Sequence, residues 1–218
     1  HELAQPIASL KIDAHILSNM LKDQDSCQLG QIQSASDSLR EKTDHCVDLI
    51  LNIRQFLSKK TIIKENFNVN ENVERIIRLL KSELDEHKIE VKLSLKQDLP
   101  NVNMSPVELD QVLLNLSKNA ISAMGNNQKS NNTLSFCTTA QYDFVEIQVS
   151  DTGSKIKDKR HLFELFKTSK EQSEVDGLGI GLSLSRRIAR SYAGELLLKS
   201  SSVEGSQFMV KIPRVTNE

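Results

Sequence analysis

Apolar residues fall at Leu3, Ile7, Leu10, Ala14, Leu17 and Leu21, with steps of 4, 3, 4, 3 and 4, the spacing of one heptad seam on a helix. A polar stretch from Lys22 to Gly30 interrupts the seam. A second 3,4 pattern then runs through Ile32, Ala35, Leu39, Cys46, Leu49, Ile53 and Phe56, with Lys42 as its one polar intrusion. The pair predicts two antiparallel helices. A two-helix hairpin cannot enclose a core, so two copies are expected to pair into a four-helix bundle, which makes the protein a homodimer.

The spacing changes further along. Lys59 to Asn70 carries charges and amides with little periodicity and reads as a linker, dividing the chain into a helical hairpin over 1–60 and a second domain over 61–218. Val73, Ile76, Ile77, Leu80 and Leu84 predict a helix over 70–87, and 89–95 alternates apolar and polar residues with the period of a half-buried strand. After the Asp98-Leu-Pro-Asn101 break a helix is expected over 106–124, with Pro106 in its first turn. Ser105 or Asn103 is its candidate cap, and Glu108 stands three residues beyond Ser105 as in a capping box. Strands are expected near 134–139 and 144–150, a polar irregular stretch over 152–176, and a helix over 182–192 stopped by Gly194. A hairpin near 195–200 and 207–212 closes the series. The order predicts an α+β fold, helices on one face of a mixed sheet.

Composition narrows the function. Lys and Arg number 28 against 29 Asp and Glu, a net charge of −1, so no basic field draws the chain to nucleic acid or anionic lipid. Aromatics are 4% with no Trp, which favours aliphatic helix packing over an aromatic stacking site. Cys27, Cys46 and Cys137 are odd in number and scattered, which suits a reducing compartment; no Cys/His pair has zinc spacing. No run of about 18 apolar residues and no signal-peptide series occurs, so no membrane contact is expected of these residues. The opening at His1 rather than Met is expected of a piece of a longer protein.

The candidate chemistry lies in the second domain. Gly177, Gly179 and Gly181 alternate just before a helix, where backbone N–H groups and the helix N-terminus suit a polyphosphate. Glycine loops before helices also serve as plain turns. Asp151-Thr-Gly153 follows a predicted strand: a carboxylate there can accept from an exocyclic amine and glycine admits a flat base, although alone it reads as an ordinary Asp-x-Gly turn. Asn115 and Asn119, four apart on a helix, project their amides from one side, suited either to ligating Mg2+ or to helix-edge hydrogen bonds.

In this order the residues resemble the sensor histidine kinases and their Bergerat-type (GHKL) ATP-binding domain, across essentially the whole chain. His1-Glu-Leu-Ala-Gln-Pro6 is similar to the family's H box, Gln111 to Ala120 to the N box and Asp151-Thr-Gly153 to the G1 box. Phe163 to Lys170 resembles the F box and Gly177 to Leu182 the G2 box. The resemblance implies a dimeric four-helix bundle followed by an α/β sandwich that binds ATP and Mg2+. It implies that Asn119 holds Mg2+ with Asn115 nearby and that Asp151 reads the adenine amino group. Gly153, Gly177, Gly179, Gly181 and Leu182 would lie along the base and phosphates, with Thr168 and Lys170 on or near the mobile lid. Lys155 stands where the family usually has a second G1 glycine, and Ser122 where many members carry a basic residue.

By the same resemblance His1 is the phosphoacceptor. It lies one place off the seam, on the outer face of the bundle. Adjacent Glu2 can take a proton from one imidazole nitrogen while the other attacks phosphorus. Gln5, four residues on, shares the face of His1 and is suited to orient a water in phosphatase chemistry, or simply faces solvent. His15 keeps the phase of His1 but is followed by Ile16 instead of an acid, and it reads as structural. The expected function is autophosphorylation of His1 and transfer to an aspartate on a response-regulator receiver domain, with regulator phosphatase activity as an added role. The expected place is the cytoplasm, as a free protein or as the cytosolic portion of a membrane-bound sensor. The alternatives are a GHKL ATPase-type conformational switch and, given Lys155 and Ser122, a catalytically weak dimeric scaffold.

Overall fold

The computed structural model describes residues 10–18, 30–40, 43, 46, 63–125, 131–156, 158–164 and 180–215. Residues 10–18 (α1) and 30–40 (α2) are helical, in keeping with the two 3,4 patterns. Residues 19–29 lie outside the described residues, as do Leu49, Ile53 and Phe56 of the second seam.

From residue 63 the elements run β1 (Glu65–Phe67), α3 (Val69–Glu86), β2 (Ile89–Leu95), β3 (Val102–Met104), α4 (Pro106–Gly125), β4 (Asn132–Gln141), β5 (Phe144–Asp151), α5 (Gly181–Ser191), β6 (Glu195–Ser202) and β7 (Gly205–Pro213). Five strands form one sheet in the order β2-β4-β5-β7-β6. β2 and β4 pair in parallel and the remaining neighbours are antiparallel, so the sheet is mixed as expected.

Alternation explains which face is covered. Leu134 and Phe136 of β4, Val145, Ile147 and Val149 of β5, and Phe208, Val210 and Ile212 of β7 are all buried at every second position. They meet Leu109, Val112, Leu113, Leu116, Ala120 and Met124 of α4, Ile76 and Leu80 of α3, and Leu184 and Ile188 of α5 in one core. The intervening residues face the other way. There Glu146 is held by Lys211 directly across the strand pair, Nζ to Oε1 2.7 Å.

Two elements depart from the expected series. β1 lies inside the predicted linker and pairs antiparallel with β3, Glu65 opposite Met104, in a two-stranded sheet. Strands of three residues are too short to show a period, and this pairing joins segments far apart in sequence. The helix α3 also begins at the linker's end, where the Asn68 side chain accepts from the Asn70 N–H at 2.9 Å.

The expected capping box at α4 is bridged instead of direct. The Ser105 N–H donates to the Tyr192 hydroxyl at 3.2 Å, and that hydroxyl donates to the Glu108 carboxylate. The C-terminal end of α5 is thereby seated on the start of α4. Burial, followed by the bond to Glu108, pushes the Tyr192 phenol up to about 12. A further cross-link joins α3 to α4: buried Asn72 donates to Asp110 Oδ1 at 2.7 Å, and Arg75 Nε donates to Asp110 Oδ2 at 2.8 Å.

Candidate functional site

The end of β5, the side of α4 and the start of α5 converge. Asp151 ends β5, and its Oδ1 accepts the Gly153 N–H at 2.8 Å and, more weakly, the Ser206 N–H at 3.4 Å. This turn is pressed onto the last turn of α4. A Cβ at Gly153 would stand 2.7 Å from the Ala123 Cβ and 2.8 Å from its carbonyl carbon, while the Ser154 N–H donates to the Ala123 carbonyl at 3.1 Å. Only glycine fits there. Thr152 adds a second anchor, its hydroxyl accepting the Thr133 N–H at 2.9 Å from the neighbouring strand.

The start of α5 approaches α4 as closely. A Cβ at Gly181 would lie 2.1 Å from Asn115 Oδ1, and Asn115 Nδ2 donates to the Ser185 hydroxyl at 2.9 Å, one turn further along α5. Asn119, the next turn of α4, is exposed. The residue before α5, Ile180, makes no side-chain cap hydrogen bond, and the first turn of α5 contains no acid. The positive potential of such a helix start suits an anion. Leu182 packs half-buried against the core beside it.

Asn115, Asn119, Asp151, Gly153, Gly181 and Leu182 are thus brought to one side of the domain. His1, Glu2, Gln5, Thr168, Lys170, Gly177 and Gly179 lie outside the described residues. Several supporting residues went unread in the sequence. Ser206 reaches Asp151 through its N–H and donates through its hydroxyl to Ser201 Oγ at 3.0 Å, which also accepts the Ile156 N–H at 3.0 Å. Gly205, at φ 139°, packs so tightly on the Asp151 carbonyl that a Cβ would stand 1.8 Å from its oxygen. In sequence these residues read only as a hairpin turn, and nothing local ties them to a segment some fifty positions earlier. Among the described residues no cluster of His, Cys, Asp and Glu suits a metal by itself. The amide oxygen of exposed Asn119 is a hard donor of the kind that suits Mg2+ beside phosphate oxygens.

A mixed sheet covered on one face by helices, with a glycine-docked aspartate at a strand end and an uncapped helix start beside it, defines a nucleotide-binding domain of the ATPase kind. Residues 104–216 match the histidine kinase-, DNA gyrase B-, and HSP90-like ATPase family, and the chain belongs to that family. Sensor protein FixL of Bradyrhizobium diazoefficiens is 28% identical over 215 residues, covering 98% of this chain and 42% of FixL. The nucleotide-free catalytic domain of histidine kinase ThkA is 26% identical with a TM-score of 0.60, over 70% of this chain and 96% of that domain. ThkA in complex with the response regulator protein TrrA shares the fold at a TM-score of 0.73 and 23% identity, over 99% of this chain and 59% of that one. The chain spans less than half the length of the curated relatives it matches. No helix among the described residues is long and apolar enough to cross a membrane.

Proposed function

We propose that this chain is the catalytic core of a sensor histidine kinase of a two-component system, which phosphorylates His1 from ATP and passes the phosphoryl group to an aspartate on a response-regulator receiver domain. The observation that carries this reading is the convergence of the Asp151 turn, the Asn115 and Asn119 side of α4, and the uncapped start of α5. Asp151 would accept from the adenine amino group, and Gly153 would leave the base room. Gly177, Gly179, Gly181 and Leu182 would line the phosphates, with Thr168 and Lys170 beside them, and Asn119 would hold Mg2+. The Mg2+ ion, when bound, supplies positive charge against the phosphate oxygens.

In the chemical step the free imidazole nitrogen of His1 forms a bond to phosphorus while the bond from phosphorus to the ADP oxygen breaks. Glu2 takes the proton from the other ring nitrogen. The protein contributes chiefly by position and charge. Helical residues 10–18 and 30–40 and the two apolar seams support a hairpin over 1–60 that dimerises into a four-helix bundle, followed by an ATP-binding domain over 61–218. The match to FixL over nearly the whole chain supports the kinase reading, and the ThkA–TrrA complex supports a response regulator as the partner. A cytoplasmic site of action accords with this chemistry, since ATP is found there. Incubation with γ-labelled ATP tests the reading: the expected product is a covalent label that is acid-labile and base-stable, and a chain that only hydrolyses ATP would contradict it.

A further inference from the structure

We propose that Arg186 is a positioning residue for the nucleotide site, acting through the ring of Phe163. The Arg186 guanidinium lies 4.5 Å from the Phe163 ring centroid, within cation–π range. Its Nε is buried without a hydrogen-bond partner among the described residues, and its terminal nitrogen is 3.9 Å from Glu195 Oε1. A buried N–H without an acceptor is unfavourable and calls for an explanation. The cation–π contact with Phe163 offsets part of that cost.

The consequence follows from what Phe163 is attached to. Residues 153–156 and 158–164 form a strap leading away from the Asp151 turn. The Ser154 N–H bonds to Ala123 of α4, the Ile156 N–H and Lys159 Nζ bond to Ser201 of β6 at 3.0 and 3.1 Å, and the Glu164 N–H bonds to the His161 carbonyl at 2.9 Å. Phe163 meets Arg186 of α5. The helix α5 in turn meets α4 through Gly181, Asn115 and Ser185. Among the described residues, Asp151, the strap, Arg186, α5 and α4 therefore form a closed circuit of contacts, in which the Arg186–Phe163 stack ties the strap to α5 while Ile156, Leu162 and Phe163 also pack on the core. The stack helps fix the spacing between the turn proposed to read the base and the helix start proposed to receive phosphates. This inference rests on the nucleotide reading above and adds a residue to it.

The test is a double-mutant cycle on the whole chain, with AMPPNP and Mg2+ as the calorimetric probe and the melting midpoint measured in parallel. Arg186→Ala and Phe163→Leu are each expected to weaken AMPPNP binding about tenfold. The double variant should be no weaker than either single one, because the two residues act as one link. Phe163→Tyr keeps the ring and should bind within about twofold of wild type, and Phe163→Leu should lose affinity even where its melting midpoint stays within a few degrees of wild type. If Arg186→Ala does not melt cooperatively, Arg186→Lys, which keeps a cation over the ring, takes its place in the cycle with a smaller expected loss. Wild-type affinity in the Arg186 variant, or losses that simply add in the double variant, overturn the inference alone. A wild-type chain that does not bind AMPPNP overturns the nucleotide reading and this inference together.

Discussion

Asn115 and Ser185, seventy positions apart, are joined by a 2.9 Å hydrogen bond from the Asn115 amide to the Ser185 hydroxyl, and that bond sets Asn115 apart from Asn119. With its amide nitrogen committed to α5 and its oxygen facing Gly181, Asn115 holds two helices together. Asn119 remains exposed on the next turn, with its side chain toward solvent.

Asn119→Ala is accordingly expected to raise the Mg2+ concentration needed for half-maximal nucleotide binding by about tenfold, equivalent to about 1.4 kcal/mol. Ser185→Ala should weaken nucleotide binding without changing the Mg2+ requirement. Magnesium titrations of the two variants check this, and an unchanged requirement in Asn119→Ala would remove the residue from the metal site.

The two docked glycines should respond differently to alanine. At Gly153 the added methyl meets the Ala123 backbone, which can yield only by moving α4, so Gly153→Ala should lower stability by about 1 to 3 kcal/mol. At Gly181 the methyl meets the end of the Asn115 side chain, which can swing aside and give up its bond to Ser185, at about 1 kcal/mol. Both should weaken nucleotide binding. Urea unfolding of the two variants measures the contrast, and equal stabilities would refute it.

Asp151→Asn replaces a carboxylate that accepts the Gly153 N–H at 2.8 Å with an amide that can present an N–H in the same direction. Nucleotide affinity should fall by about 1.5 to 3 kcal/mol, the range for hydrogen bonds to a charged group. Calorimetry reads the change directly, and unchanged affinity would end the adenine-reading role.

Tyr192 gives the fold a sensitivity to high pH. Burial, followed by the bond to Glu108, favours the neutral form and pushes its phenol from the ordinary 10.0 up to about 12. Its contribution is complete below pH 10.0 and is lost as the pH rises through about 12. Tyr192→Phe should flatten the stability profile in that window. It should also cost about 1 to 3 kcal/mol at neutral pH, since Glu108 and the Ser105 N–H lose their shared partner. Denaturation followed from neutral pH to pH 12 tests both.

The parts of this molecule that could be read from the sequence are those whose signal is local. α3, α4, α5 and the strands β2, β4, β5, β6 and β7 each carry their own period, and the boxes containing Asn115, Asn119, Asp151 and Gly181 each sit within a few residues. What escaped depends on distant partners. Three-residue β1 forms because β3 is there to pair with it. Tyr192 enters the capping box of a helix that begins more than eighty residues earlier, and Ser206 and Gly205 join the site only because β7 lies beside β5. Arg186 reads as one more charge on a helix until the strap brings Phe163 beneath it.

The central claim, that His1 receives the γ-phosphoryl group of ATP, is tested most directly by labelling wild type and His1→Ala with γ-labelled ATP while measuring AMPPNP affinity on the same samples. The expected result is an acid-labile, base-stable label on wild type, none on His1→Ala, and nucleotide affinity within about twofold between the two, because the acceptor and the nucleotide residues belong to different parts of the chain. Undiminished labelling of His1→Ala, at His15 or anywhere else, would contradict it.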